Sequence, residues 1–178
     1  KMKNFLVIGI GLVLLAGCNT LSSSRSNVGD ARNYLADAAV DRDVRTIIVG
    51  DPLLISKSAA EQKVTAELNL NYEFLRTNFT TGNSTKFREP YNVVFAFNPS
   101  KFTDVVDICR APHEIKFKPT TTELKITAAF CMEVPIAQVR GTVDMSDDKK
   151  IANLNDMIRQ LAFRLVPQEE PLRSYTSD

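Results

Sequence analysis

The sequence predicts an α+β domain: a mostly antiparallel sheet of four or five strands, packed on one face by two helices. Three observations carry that expectation. Residues 124–130 and 137–144 each alternate apolar and polar side chains about a turn at 133–135, as in an antiparallel meander. Residues 44–50 and 91–97 are β-branched and aromatic runs closed by turn residues, Gly50-Asp51-Pro52 and Asn98-Pro99-Ser100. Finally, Ile151, Leu154, Ile158, Leu161, Ala162 and Leu165 recur at helical spacing and form one apolar stripe.

The elements follow in order. Residues 30–40 read as a short helix with Tyr34, Leu35, Ala38 and Ala39 on its apolar side. Residues 44–50 are a strand. The next stretch fits two periods. Val64, Leu68, Tyr72 and Leu75 fit a helix, yet Val64, Ala66, Leu68, Leu70, Tyr72 and Phe74 alternate as in a strand. Ser56 and Ser58 are plausible N-caps, and Ser58 with Glu61 fits a capping box. A helix over 57–70 is therefore expected, with a strand over 63–74 as the alternative.

Residues 78–85 read as a polar loop. The strand at 91–97 is almost continuously apolar, so it should be central and covered on both faces. Residues 102–109 fit one helical turn or irregular chain. Residues 114–118 alternate and read as a further strand. Ser146 or Asp147 should cap the last helix, and Pro167 should stop it.

The first residues carry a different signal. Lys1 and Lys3 precede an apolar run from Phe5 to Leu15, and Ala16-Gly17-Cys18 follows. The run is shorter than the roughly 20 residues that a membrane span needs. A positive start, an apolar middle and small residues describe a cleaved export leader. The small-small-Cys ending resembles the lipobox of bacterial lipoproteins, in which the cysteine receives a diacylglycerol thioether and becomes the acylated N-terminus. That resemblance implies lipidation at Cys18. Asn19, which is not the Asp of the inner-membrane retention pattern, implies the periplasmic face of the outer membrane. An ordinary secretory leader cut elsewhere and an uncleaved anchor are the alternatives. The expected organisation is a leader over 1–17, a lipidated Ser-rich tether over 18–29, one periplasmic domain over 30–166 and a disordered tail over 167–178.

Composition narrows the partners. The chain has 22 basic and 21 acidic residues, and Lys1 and Lys3 leave with the leader. A near-neutral chain with no basic cluster argues against nucleic acid and against electrostatic binding to anionic lipid. Of the three cysteines, Cys109 and Cys131 remain once Cys18 is lipidated. In an exported protein they are expected to form a disulfide, with two buried thiols as the alternative. A metal site is disfavoured, because His113 is the sole histidine.

Chemical motifs are absent. There is no P-loop, no His-Glu-x-x-His and no Gly-x-Ser-x-Gly, and nothing calls for a cofactor. His113 lacks an evident nucleophile. Asp104 and Asp107 are either a carboxylate pair or a solvated face. Asp144, Asp147 and Asp148 resemble part of a calcium loop but lack its Gly and distal Glu.

Residues 43–52, 77–81 and 93–99, Cys109-Arg110, residues 128–131 and Gly141 together resemble a family of small alphaproteobacterial outer-membrane lipoproteins. The resemblance spans most of the domain. It implies paired late cysteines and supplies no activity. The expected function is therefore noncatalytic: a lipid-anchored accessory or structural subunit of an envelope assembly, with the membrane and a protein as partners. A small-ligand or lipid carrier is the alternative, and a hydrolase comes third.

Overall fold

Two β-branched or aromatic runs and two alternating runs form the centre of a six-stranded sheet. The computed structural model describes residues 20–25 and 28–167. The expected leader over 1–17, Cys18 and residues 168–178 of the expected tail lie outside the described residues. The elements are β1 (Thr20–Arg25), α1 (Val28–Ala39), β2 (Asp43–Gly50), α2 (Lys57–Asn71), β3 (Asn78–Thr80), β4 (Tyr91–Phe97), α3 (Val105–Arg110), β5 (Glu123–Met132), β6 (Val134–Asp144) and α4 (Lys150–Leu165). The strand order is β1-β6-β5-β4-β2-β3.

The class is α+β, as expected, but the sheet is mixed and larger than four or five strands. β2 runs parallel to both β3 and β4, while β4, β5, β6 and β1 each pair antiparallel with the next. The parallel pairs follow from α2, which carries the chain from the end of β2 back to the other end of the sheet. The expected loop at 78–85 begins with the short strand β3. The expected tether at 18–29 contains β1, paired with β6 from Thr20↔Thr142 to Arg25↔Ala137, and the start of α1. A Ser-rich segment forms a strand here because the free edge of β6 supplies its hydrogen bonds.

Three helices, not two, cover one face. Leu35 of α1, Val64 and Leu68 of α2, and Leu154, Ile158 and Leu161 of α4 share a buried core with Phe95, Phe130 and Val139. The 15-residue α2 takes the helical period. Ser56 is its cap, accepting from the Ala59 N–H at 3.1 Å, so the Ser58 box is not used. At its C-terminal end the Tyr72 hydroxyl donates to the Ala162 carbonyl and accepts from the Val166 N–H, both at 3.1 Å. That joins the ends of α2 and α4, and burial pushes the phenol pKa up.

The α4 stripe is buried as expected except at Ile151, which is 51% exposed in the first turn. The cap also differs. Lys149 holds the N-cap position without a side-chain bond, and Asp147 instead accepts from the Lys149 N–H and the Asn153 amide. Gly141 of β6 lets α4 approach, since a Cβ there would meet Met157 Sδ at 2.2 Å.

The opposite face is covered only in part. Val105, Ile108 and Cys109 of α3 pack on Val94, Ala96, Ala129 and Cys131. β4 is thus central and buried on both faces, as its apolar run implies. Cys109 and Cys131 are bonded, with their Cα atoms 5.4 Å apart, within the range a disulfide requires. Residues 114–118 do not form a strand. They make one bridge, Pro99↔Phe117, and lay the Phe117 ring over Gly50. Gly50 has φ +83°, and a Cβ there would lie 2.1 Å from the Phe97 carbonyl oxygen.

Among the described residues, Thr46 is a buried polar group left unpaired in the core. Thr46 is 3% exposed, and its hydroxyl has no hydrogen-bond partner among the described residues. An unmet buried hydroxyl costs ~1–3 kcal/mol. Thr46→Val keeps the shape and removes that cost, so thermal unfolding should show a melting point a few degrees higher.

Candidate functional site

The two middle strands change character along their length. On the face opposite the three helices, β5 presents Ala129 and Cys131 beneath α3, then Thr127 and Lys125 beyond it. The register places Lys125 beside Thr142 and Thr127 beside Arg140, which in turn pairs with Ser22 of β1. This polar half of the face lines an open groove of about 500 Å³.

The other wall is built by the chain leaving β4 and the chain entering β5. Asn98 holds them together. It is 7% exposed, in the left-handed region at φ 52°. Its N–H donates to the Lys125 carbonyl at 2.7 Å, and its side-chain oxygen accepts from the Lys125 N–H at 2.9 Å. Its carbonyl accepts from the Lys118 N–H at 2.9 Å, and the Ser100 N–H donates to the Lys116 carbonyl at 2.8 Å. One asparagine therefore sets Lys118 and Lys125 on the same groove.

Lys101, Lys118, Lys125 and Arg140 all line it, with Glu123 the one carboxylate among the lining residues. Lys125 and Glu123 approach to 3.9 Å, with both side chains more than half exposed, so the pair is worth little. Among the described residues no ion pair engages Lys118 or Arg140. Asp144 lies in an adjoining recess with Glu123. Its Oδ1 accepts from the Ser146 hydroxyl at 2.6 Å and N–H at 2.8 Å, and these bonds hold its carboxyl below the usual range. The rim carries Phe102, which lies between the lining residues Lys101 and Thr103 and itself lines the smaller recess beside α3; it is 87% exposed, with Lys101 Nζ 5.6 Å from its ring centroid. Cations beside threonine and serine hydroxyls form a donor-rich surface suited to oxyanions.

This arrangement corrects the expectation that the chain has no basic cluster. The four cations are scattered over forty residues of sequence, and only the fold gathers them. A readable signal existed: Lys125 and Thr127 at the start of β5 and Arg140 and Thr142 of β6 are polar or charged at outward positions, before β5 turns apolar at Ala129 and Cys131.

The other candidates are placed as follows. Asp104 and Asp107 form the capping box of α3, not a pair facing a ligand. Asp144 and Asp147 serve the turn before α4. His113 is exposed in the turn before residue 115 and lines neither this groove nor the smaller one beside α3. Cys109 and Cys131 are brought together, and their bond holds α3 on β5 next to the groove wall. No group of acidic, His or Cys side chains suited to a metal occurs among the described residues. No helix among them is long and apolar enough to cross a membrane. No family model, curated protein or solved structure matches the chain.

Proposed function

We propose that this chain is a noncatalytic, lipid-anchored protein on the periplasmic face of the outer membrane, acting there as an accessory subunit of an envelope assembly. The leader and Cys18 supply the anchor in this reading, and the family resemblance belongs to the same proposal. The observation that carries the accessory role is β1. It begins two residues after Cys18, and among the described residues it pairs on one side only. An open six-residue edge is a template for strand addition by a partner. A carrier for apolar ligands calls for an enclosed apolar cavity, whereas the groove is open and polar. A hydrolase calls for a nucleophile within reach of a base, and His113 lies off both grooves.

The test is purification at native abundance from detergent-solubilised membranes, with mass spectrometry of what co-purifies. A partner in fixed stoichiometry, lost when β1 is disrupted by Ser23→Pro, is the expected result. Recovery of the chain alone contradicts the accessory role.

A further inference from the structure

The groove and its rim share features of a surface that meets a charged bilayer. Four cations face outward with one lining carboxylate between them, so the local charge is positive although the chain is near neutral. Beside them stands Phe102, a fully apolar side chain 87% exposed on a turn. Phe117, flanked by Lys116 and Lys118, is a second exposed ring, bridged to Pro99 next to that turn. An aromatic ring prefers the boundary between headgroups and acyl chains, and neighbouring lysines prefer the phosphates above it.

The register fixes where this surface lies relative to the N-terminus. Thr20 pairs with Thr142, Thr142 with Lys125, and Asn98 bonds Lys125. The start of β1, the mouth of the groove and the turn that carries Phe102 therefore share one end of the sheet. Asn19 alone separates Cys18 from Thr20, and the two steps of chain reach at most ~7 Å. An acyl anchor on Cys18 would thus bring lipid headgroups to this end and no other.

We propose that the groove is a phospholipid-headgroup site. Lys101, Lys118, Lys125 and Arg140 take the phosphates of an anionic bilayer while Phe102 enters the interface. The choice of bilayer over a free phosphate rests on the lipid-anchor reading, but the binding chemistry does not. Anchor and groove act as two signals on one membrane, which fixes the orientation of the domain and the direction in which the β1 edge points.

The test uses the chain from residue 18 onward carrying Cys18→Ser, so that no acyl group contributes. A circular-dichroism melt checks the fold of each variant. The sequence has no Trp, so Phe102→Trp gives a unique fluorescent reporter at the rim. With phosphatidylglycerol vesicles its emission should shift to the blue and be quenched by brominated acyl chains. Phosphatidylcholine vesicles should give neither change. Adding Lys118→Glu and Lys125→Glu should weaken vesicle binding by about tenfold or more, and salt should do the same to the parent. Equal binding to both vesicle types, or binding indifferent to the charge reversals, overturns the proposal. Titration by inorganic phosphate without vesicle binding also overturns it and reassigns the groove to a soluble anion. Lipidation is not read in this experiment, so its failure leaves the anchor standing, and an unmodified Cys18 in cells leaves the vesicle result standing.

Discussion

Leu161→Ala is expected to cost ~2–5 kcal/mol of unfolding free energy. Leu161 is 0% exposed, in the middle of the buried stripe of α4 and in one core with Leu68, Phe130 and Val139. Truncation removes apolar contacts and leaves a cavity that α4 cannot easily fill. Its position is fixed on one side by β6 and on the other by the Tyr72 hydroxyl, which bonds Ala162 and Val166. Domains of this kind have about 5–15 kcal/mol in total, so the loss is a large share. The melting point should fall by on the order of 10 °C. Ile151→Ala is the matched control, on the same helix but half exposed, and should cost less than about 1 kcal/mol. Equal melting of the two variants would mean that α4 does not pack by this stripe.

Loss of the disulfide should have an effect of similar size but a different reach. Closing a loop of 22 residues restricts the unfolded chain by roughly 3 kcal/mol in the entropy model. The bond also holds α3, a helix of 6 residues that could not persist alone. With Cys109→Ala and Cys131→Ala, the melting point should fall clearly. Hydrogen exchange should rise most over 98–118, the segment that carries Lys101 and Lys118. Reductant should reproduce both changes in the parent protein and neither in the double variant. Unchanged melting and unchanged exchange would remove the bond from the account of the groove.

What was legible in the sequence follows a physical line. The α4 stripe, the β5–β6 alternation and the double-sided apolar run of β4 are local patterns produced by burial, and each appears where expected. The ambiguity at 63–74 was genuine, because both periods fit. Ser56 and the helix-forming residues after it decided the outcome through capping rather than hydrophobic pattern. β1 was illegible because a polar edge strand is stabilised by its neighbour, not by its own residues. The parallel pairing of β2 was hidden for the same reason, since register and direction are properties of two segments. The groove was least legible. Net charge averages over the chain, whereas Lys101, Lys118, Lys125 and Arg140 act together only after Asn98 has joined the backbones of Lys118 and Lys125 and strand pairing has set Arg140 beside them.

The lipid anchor is the claim from which the orientation, the role of the β1 edge and the choice of bilayer all follow. Two or more acyl chains make membrane attachment stable, whereas a free thiol contributes none. The most direct measurement is the mass of the N-terminal peptide of the protein extracted from membranes. The account predicts that residues 1–17 are gone and that Cys18 is the first residue, carrying a diacylglyceryl group and an N-acyl chain. An intact leader, a cut at another bond or an unmodified Cys18 would contradict it.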